Sequence, residues 1–149
     1  MRACSAARST IAISLRCLTA HRSGLVREAP RGNYFDTNAK GQADAVASLN
    51  ATSLVARPGS VTKYSNAGIA VVGEVVARVA GLPYEQAIDR LVLTPLGMKA
   101  SGFARDPAKG PVAYAEMASF DGGRFAAPAL ELGTPAAGSL YSTVGDLGR

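Results

Sequence analysis

The sequence predicts an α+β fold in which helices dominate and one hairpin is the clearest β structure. Apolar residues recur three and four apart over residues 66–80, and a second apolar face follows Pro83. Both spacings are typical of helices that pack against a core. Asp121-Gly122-Gly123 lies between two strand-like stretches and predicts a hairpin turn. At 149 residues the chain has the length of one ordinary domain.

The helix over residues 66–80 is the strongest single prediction. Such a wide apolar stripe is typical of a deeply buried helix. Ser65 or Asn66 is expected to cap its first turn by accepting backbone N–H bonds, and Gly81 to end it in the left-handed conformation. The large aliphatic residues that share its apolar face are Ile69, Val71, Val72, Val75, Val76 and Val79.

Weaker signals place the remaining elements. Pro83 opens a helix that ends before Pro95, because a residue that precedes proline disfavours helical conformation. A second helix is predicted over 40–50, from an apolar face of mainly small residues.

The C-terminal third changes in character. The strands of the hairpin are expected over 112–120 and 124–127, and Ser142 is expected to cap a last helix. The chain stops at Arg149, about two turns after this helix begins. This position favours the interpretation that the chain is a fragment of a larger domain.

The net charge of +5 arises entirely in the N-terminal stretch. Six arginines and one glutamate occur through Arg31, whereas the remainder carries ten basic and ten acidic residues. A nucleic-acid surface would place aromatic residues among these bases, and the first aromatic residue is Tyr34. We therefore predict no nucleic-acid partner. No apolar run approaches the ~20 residues of a transmembrane helix.

The cysteines and the histidine do not indicate a metal site. Cys4, Cys17 and His21 lack the paired spacing of zinc ligands, and we predict neither a metal nor another cofactor. A disulfide between the two cysteines stays open, although free thiols are favoured. The first twenty residues have the composition of a targeting segment, but Arg16 interrupts a short apolar stretch. We expect residues 1–12 to be a separate segment, disordered or out of context, and 13–149 to be a partial domain.

Four segments carry the motifs that bear on function. In their order and spacing they resemble the β-lactamase-related serine hydrolases, a group of class C β-lactamases, D-alanyl-D-alanine peptidases and related esterases. The resemblance covers residues 13–149 and implies a partial β-lactamase/transpeptidase-like fold, mainly its helical part plus a β-hairpin, with the main sheet largely missing. The segments are His21-Arg22-Ser23-Gly24-Leu25, Pro58-Gly59 with Tyr64-Ser65-Asn66, Pro95-Leu96-Gly97-Met98, and Pro135-Ala136-Ala137-Gly138-Ser139-Leu140-Tyr141-Ser142-Thr143 with Asp146-Leu147.

One residue departs from these patterns. The family usually has a glycine where this chain has Ala137 in the last segment.

The resemblance implies that Tyr64 and Asn66 are catalytic-site residues. In the family, a serine attacks the carbonyl carbon of a small ester or amide, such as a β-lactam, a D-Ala peptide or a simple ester, and forms an acyl-enzyme. The tyrosine relays a proton and needs a nearby cation, since a free phenol has a pKa of about 10. The asparagine orients the catalytic lysine and the substrate amide. Without the motifs, Tyr64 would be a packing residue and Asn66 a plain helix cap.

Two family motifs have no counterpart at their expected positions. Nothing upstream of His21 reads Ser-x-x-Lys, and the chain stops before the place of Lys-Thr-Gly or His-x-Gly. We therefore expect a fragment of a serine hydrolase that is itself inactive. Ser65 and His21 are interpreted as structural.

Two alternatives remain open. The chain is a non-catalytic binding module derived from this fold, or it is an active hydrolase that uses Ser60 and Lys63, which have the Ser-x-x-Lys spacing. The second alternative reverses the family's motif order, and Tyr141-Ser142-Thr143 lacks the asparagine that a tyrosine motif needs. It is therefore the less favoured.

Overall fold

The computed structural model describes residues 12–33, 36, 41–103, 116–127 and 132–149. Within these ranges the chain is mainly helical. Its elements in chain order are α1 (Leu15–Thr19), α2 (Gln42–Ser48), a 3₁₀ turn (Leu49–Ala51), α3 (Asn66–Ala80), α4 (Tyr84–Ile88), a π-helical turn (Asp89–Leu93), β1 (Glu116–Ala118), β2 (Arg124–Ala126), a 3₁₀ turn (Pro135–Ala137) and α5 (Val144–Leu147).

Helix α3 is the centre of this structure, because α1, α2, α4 and the 3₁₀ turn of Pro135–Ala137 all pack against it. Its predicted bounds are confirmed. The Ser65 hydroxyl accepts the Gly68 N–H at 2.8 Å, so Ser65 is the cap. Gly81 ends the helix in the left-handed conformation, with φ 65°. Asn66 is the first helical residue, and its side chain is left for other contacts.

The buried face of α3 differs from the predicted one. The valine stripe is only partly buried, and Val79 is 85% exposed. Valines of this stripe line an open groove of about 530 Å³ between α3 and the π-helical turn. Neighbouring elements approach α3 on its other side so closely that small residues are selected there over large apolar ones. The buried residues are Asn66, Ala67, Gly68, Ala70 and Gly73.

The closest approach occurs at Gly73. A Cβ atom at this position would lie 2.4 Å from the Ala136 Cβ and 2.8 and 2.9 Å from the two amide atoms of Gln42. Gln42 is buried, and its Oε1 accepts the Ala136 N–H at 3.3 Å. One contact therefore fixes α2 and the 3₁₀ turn to α3.

The helix predicted after Pro83 is present, but its second half changes type. Helix α4 continues as the π-helical turn Asp89–Leu93, in which the Thr94 N–H donates to the Asp89 carbonyl group at 2.8 Å. This wider turn ends before Pro95, as the sequence predicts.

Two other predictions hold in part. The helix predicted over 40–50 is α2 with its following 3₁₀ turn, and Lys40 lies outside the described residues. In the hairpin, Met117 pairs with Phe125 in antiparallel register, and residues 112–115 lie outside the described residues. Cys17 carries a free thiol, and Cys4 with the rest of residues 1–11 lies outside the described part.

The predicted cap of the last helix is wrong by one residue. The Thr143 hydroxyl accepts the Asp146 N–H at 3.2 Å and so caps α5. The Ser142 hydroxyl is instead engaged with the Ser101 hydroxyl at 2.8 Å. The capping residue is the one whose side-chain oxygen accepts a hydrogen bond from the N–H three residues later. Where two adjacent residues both carry a hydroxyl, the sequence does not show which of them is the cap.

No single helix among the described residues has the length and apolar composition to cross a bilayer. One bent pair, Asn66–Ala80 with Tyr84–Leu93, meets both criteria only when its members are taken together across a 72° bend.

We expect Gly73→Ala to destabilise the chain although alanine is the better helix former. The added methyl group collides with Ala136 and Gln42, and such overpacking costs about 1–3 kcal/mol. Urea unfolding followed by circular dichroism measures the change in the free energy of unfolding. Gly145→Ala in α5 is the control, because the nearest atom to its new Cβ lies at 3.9 Å. Equal stability of both variants would contradict the packing argument.

Candidate active site

Two segments lie side by side and form the candidate site; the second runs into the first turn of α3. The first site segment is residues 21–28 and the second is residues 55–67; together they contain the first two motifs. Their backbones are joined by hydrogen bonds from the second segment to the first: Val55 N–H to Gly24 at 2.8 Å, Gly59 N–H to Arg22 at 2.8 Å, Lys63 N–H to His21 at 2.7 Å and Ala67 N–H to Arg27 at 3.1 Å.

A glycine is required at position 24 for this pairing. Its φ is +76°, and a Cβ atom there would lie 2.1 Å from the Ala56 carbonyl oxygen. Any residue other than glycine at this position would therefore force the two segments apart. The glycine of the first motif thus has a physical reason that the sequence alone does not reveal.

Tyr64 lies on the open side of the pairing and is 54% exposed. Its ring packs against His21, with 4.6 Å between ring centroids and 35° between ring planes. The guanidinium carbon of Arg27 lies 5.5 Å from the centroid of the same ring. A guanidinium group at this distance is attracted to the face of an aromatic ring. Arg27 therefore supplies a positive charge beside the phenol.

Asn66 lies two residues further on, and its side chain is buried. Only 5% of the residue is exposed, and its Nδ2 donates to Glu28 Oε1 at 2.7 Å. Arg27 Nε lies 3.5 Å from the same carboxylate oxygen. The Oδ1 atom of Asn66 is buried and has no hydrogen-bond partner among the described residues. The site thus contains one buried acceptor that still lacks a donor.

The Ser65 hydroxyl, by contrast, is fully used by the fold. It donates to the Val26 carbonyl group at 2.7 Å and accepts the Gly68 N–H. Since the residue is also 1% exposed, it is structural, as the sequence predicts.

Ser60 and Lys63 do not lie on a helix. Ser60 is in a turn, where its hydroxyl donates to the Arg57 carbonyl group at 2.6 Å, and residues 61–65 lead without helical structure to α3. A lysine three residues after a serine shares its face only on a helix. The geometry therefore gives no support to this pair as nucleophile and base.

Sequence reasoning missed two residues of the site, Arg27 and Glu28. They lie two and three residues after the first motif, and their only signal is their charge. Their role depends on the pairing of the two segments, which brings them to Tyr64 and Asn66 from about 38 residues away in the chain.

The end of the last motif lies in a different cluster. Asp146 is buried and accepts from the Ser101 hydroxyl at 2.7 Å and from the Ala100 N–H at 2.8 Å. Gly102 and Tyr141 exchange backbone hydrogen bonds beside it, at 3.0 and 2.8 Å. These contacts tie α5 to the chain that follows the π-helical turn.

No group of three or more histidine, cysteine, aspartate or glutamate side chains forms a metal site in the part of the chain that the structure describes.

Comparison with known proteins identifies the family. The β-lactamase family model matches residues 5–149, and the chain therefore belongs to the β-lactamase family. It is similar to beta-lactamase-like protein 2 of Dictyostelium discoideum, with 33% identity over 90% of this chain and 25% of that protein. It is also similar to the D-alanyl-D-alanine-carboxypeptidase/endopeptidase AmpH of Escherichia coli (strain K12), with 32% identity over 92% of this chain and 35% of that protein.

The fold agrees with the family. The structure of FmtA from Staphylococcus aureus superposes with a TM-score of 0.75 and 23% identity, over 91% of this chain and 38% of that one. The predicted partial β-lactamase/transpeptidase fold, mainly helical with one hairpin, is thus confirmed. The chain spans 25% to 35% of the length of the curated relatives it matches.

We expect Glu28→Ala to destabilise the site more than an ordinary surface change. It removes the only acceptor that the structure gives Asn66 Nδ2, and an unpaired buried polar group costs about 1–3 kcal/mol. The free energy of unfolding and the side-chain amide signals of Asn66 in NMR spectra report the change. Glu28→Gln keeps an acceptor oxygen and should lose less.

Glu116→Ala is the matched control, since it breaks an exposed ion pair with Arg124, worth about 0–1 kcal/mol. Unchanged Asn66 signals in Glu28→Ala would show that the carboxylate does not hold the carboxamide.

Proposed function

We propose that this chain carries the tyrosine–asparagine half of a serine acyl-transfer site that hydrolyses an amide or an ester. The observation that carries the proposal is the buried, unpartnered Oδ1 of Asn66, two residues from the exposed ring of Tyr64. A fold seldom leaves such an oxygen unpaired without a reason. In a site of this class, the missing donor is the ammonium group of the catalytic lysine.

Asn66 is the orienting residue in this proposal. Glu28 accepts from its Nδ2, so Oδ1 is the carboxamide atom that is left to accept from the lysine in this proposal. The amide orientation follows from the hydrogen bond, because a carboxylate accepts from nitrogen and cannot donate to oxygen. Membership of the β-lactamase family supports the same role for this residue.

Tyr64 is the proton-relay residue. Its exposed ring leaves the phenol open to a substrate, and Arg27 places a positive charge 5.5 Å from the ring centroid. In this proposal the phenol takes and returns a proton during acylation.

The substrate class is an amide or ester carbonyl compound such as a β-lactam, a D-Ala peptide or a simple ester. One relative at 32% identity is a D-alanyl-D-alanine-carboxypeptidase/endopeptidase, whose named reaction is the cleavage of an amide bond. A serine forms an ester with the acyl group, the amine or alcohol leaves with a proton, and water then hydrolyses the ester.

We further propose that these 149 residues do not complete the reaction alone. The only Ser-x-x-Lys in the sequence is Ser60 to Lys63, and it is not on a helix. The nucleophile, its lysine and the oxyanion donors would then belong to a part of the whole protein outside this chain.

An acylation experiment tests the inactivity of the chain. We expect no covalent adduct in intact-mass spectra after incubation with a fluorescent penicillin or a fluorophosphonate. We also expect no turnover of a chromogenic cephalosporin or p-nitrophenyl acetate beyond that of Ser60→Ala. An adduct that maps to Ser60, or turnover that is lost in both Ser60→Ala and Tyr64→Phe, would refute this expectation.

A chimera tests the positive half of the proposal. In the chimera, this chain replaces the aligned region of the Escherichia coli relative, which supplies the remaining length. We expect peptidase activity that falls at least a hundredfold in Tyr64→Phe and Asn66→Ala, in the range of a lost acid–base group. Ser60→Ala should have no effect. A chimera that unfolds cooperatively but is inactive would count against the proposed site.

A further inference from the structure

We propose that His21 is a positioning residue for Tyr64: it holds the backbone on both sides of Tyr64 and packs its ring against the phenol. The inference rests on the proposed function, because the direction of the Tyr64 ring matters only if that ring relays a proton. It adds a role for a residue whose sequence context suggests only a structural histidine.

Three contacts made by His21 fall on three successive residues. Its carbonyl oxygen accepts the Lys63 N–H at 2.7 Å. Its Nδ1 accepts the Ser65 N–H at 3.2 Å. Between them, its ring lies against the Tyr64 ring at 4.6 Å. Because the residues before and after Tyr64 are both held by one partner, the backbone of Tyr64 has little freedom to turn.

The backbone of His21 is adapted to this task. It is the only non-glycine residue with a positive φ, 54°, in the part of the chain described by the structure. This left-handed conformation is uncommon for residues with a Cβ atom and is most often found in asparagine, aspartate and histidine. In this conformation, the carbonyl group and the ring of His21 both contact the second site segment. Strain of this kind persists where the surrounding contacts outweigh it.

The hydrogen bond to Ser65 also defines the tautomer. Nδ1 acts as an acceptor, so the ring is neutral and its proton is on Nε2. Ser65 caps α3 and is buried, so its hydrogen bond to the histidine ring fixes that ring relative to α3. The ring therefore aligns Tyr64 with the start of α3, where Asn66 lies.

The test compares His21→Asn with His21→Gly. Both residues tolerate the left-handed backbone, so neither introduces strain. Asparagine places its Oδ1 near the position of the histidine Nδ1 and restores the acceptor, whereas glycine does not. The difference between the variants therefore isolates the side-chain hydrogen bond from the backbone conformation.

NMR spectroscopy of the chain provides the readouts. We expect a long-range ¹H–¹⁵N spectrum to show the proton of His21 on Nε2. Hydrogen exchange of the Ser65 amide should be about five- to tenfold faster in His21→Gly, as for one lost hydrogen bond. His21→Asn should restore much of this protection. The NMR signals of the Tyr64 ring should show less averaging over ring orientations in His21→Asn than in His21→Gly.

Three results would overturn the inference. One is a proton on Nδ1 in the unmodified chain, which needs no variant to fold. Another is equal Ser65 protection in His21→Gly and the unmodified chain. The third is identical behaviour of His21→Asn and His21→Gly, which would assign the role to the backbone alone.

The chimera separates this inference from the proposed function. There, His21→Gly should lower kcat with KM nearly unchanged, and His21→Asn should recover part of kcat. If the chimera is inactive while the Ser65 and Tyr64 readouts behave as expected, the acyl-transfer proposal fails and the positioning geometry stands.

Discussion

The backbone pairing between the two site segments is the interaction on which the rest of the site depends. It is made by four main-chain hydrogen bonds, and the side chains of Asn66, His21 and Ser65 add further contacts between the same two segments. Arg27 and Glu28 are thereby carried to Tyr64 and Asn66. The pairing tolerates no side chain at Gly24, where the segments are in contact through backbone atoms.

Helix α3 connects this pairing to the rest of the structure. Its first turn begins within the second site segment, and its small-residue face packs against α2 and the 3₁₀ turn. The buried core beneath the site is correspondingly made of small side chains, with Ala29, Ala45 and Ala67 at its centre. A core of this type gains stability from close approach of backbones and less from the volume of its side chains. The position of Asn66 is therefore as fixed as the helix that carries it.

What the sequence predicts well in this chain is local. The bounds of α3 follow from a periodic apolar pattern, a serine cap and a glycine stop, all of which act within a few residues. The family motifs also single out Tyr64 and Asn66 by local spacing, and their catalytic role stays a prediction. The buried face of α3 could not be predicted from the sequence. Hydrophobicity favours burial of the valines, whereas close packing of neighbouring elements requires small residues such as Gly73 on the buried face. Glu28 was missed for a related reason: its partner is 38 residues away.

The unpaired oxygen of Asn66 has a consequence for what the site accepts. A buried acceptor is stabilised by a neighbouring hydrogen-bond donor and disfavours a neighbouring group that cannot donate. A carboxylate next to Asn66 Oδ1 would be repelled by it. A methyl group there would leave Oδ1 without a hydrogen bond, at a free-energy cost comparable to that of a lost hydrogen bond. At this position a neighbouring group that carries a hydrogen-bond donor is therefore favoured over one that carries none.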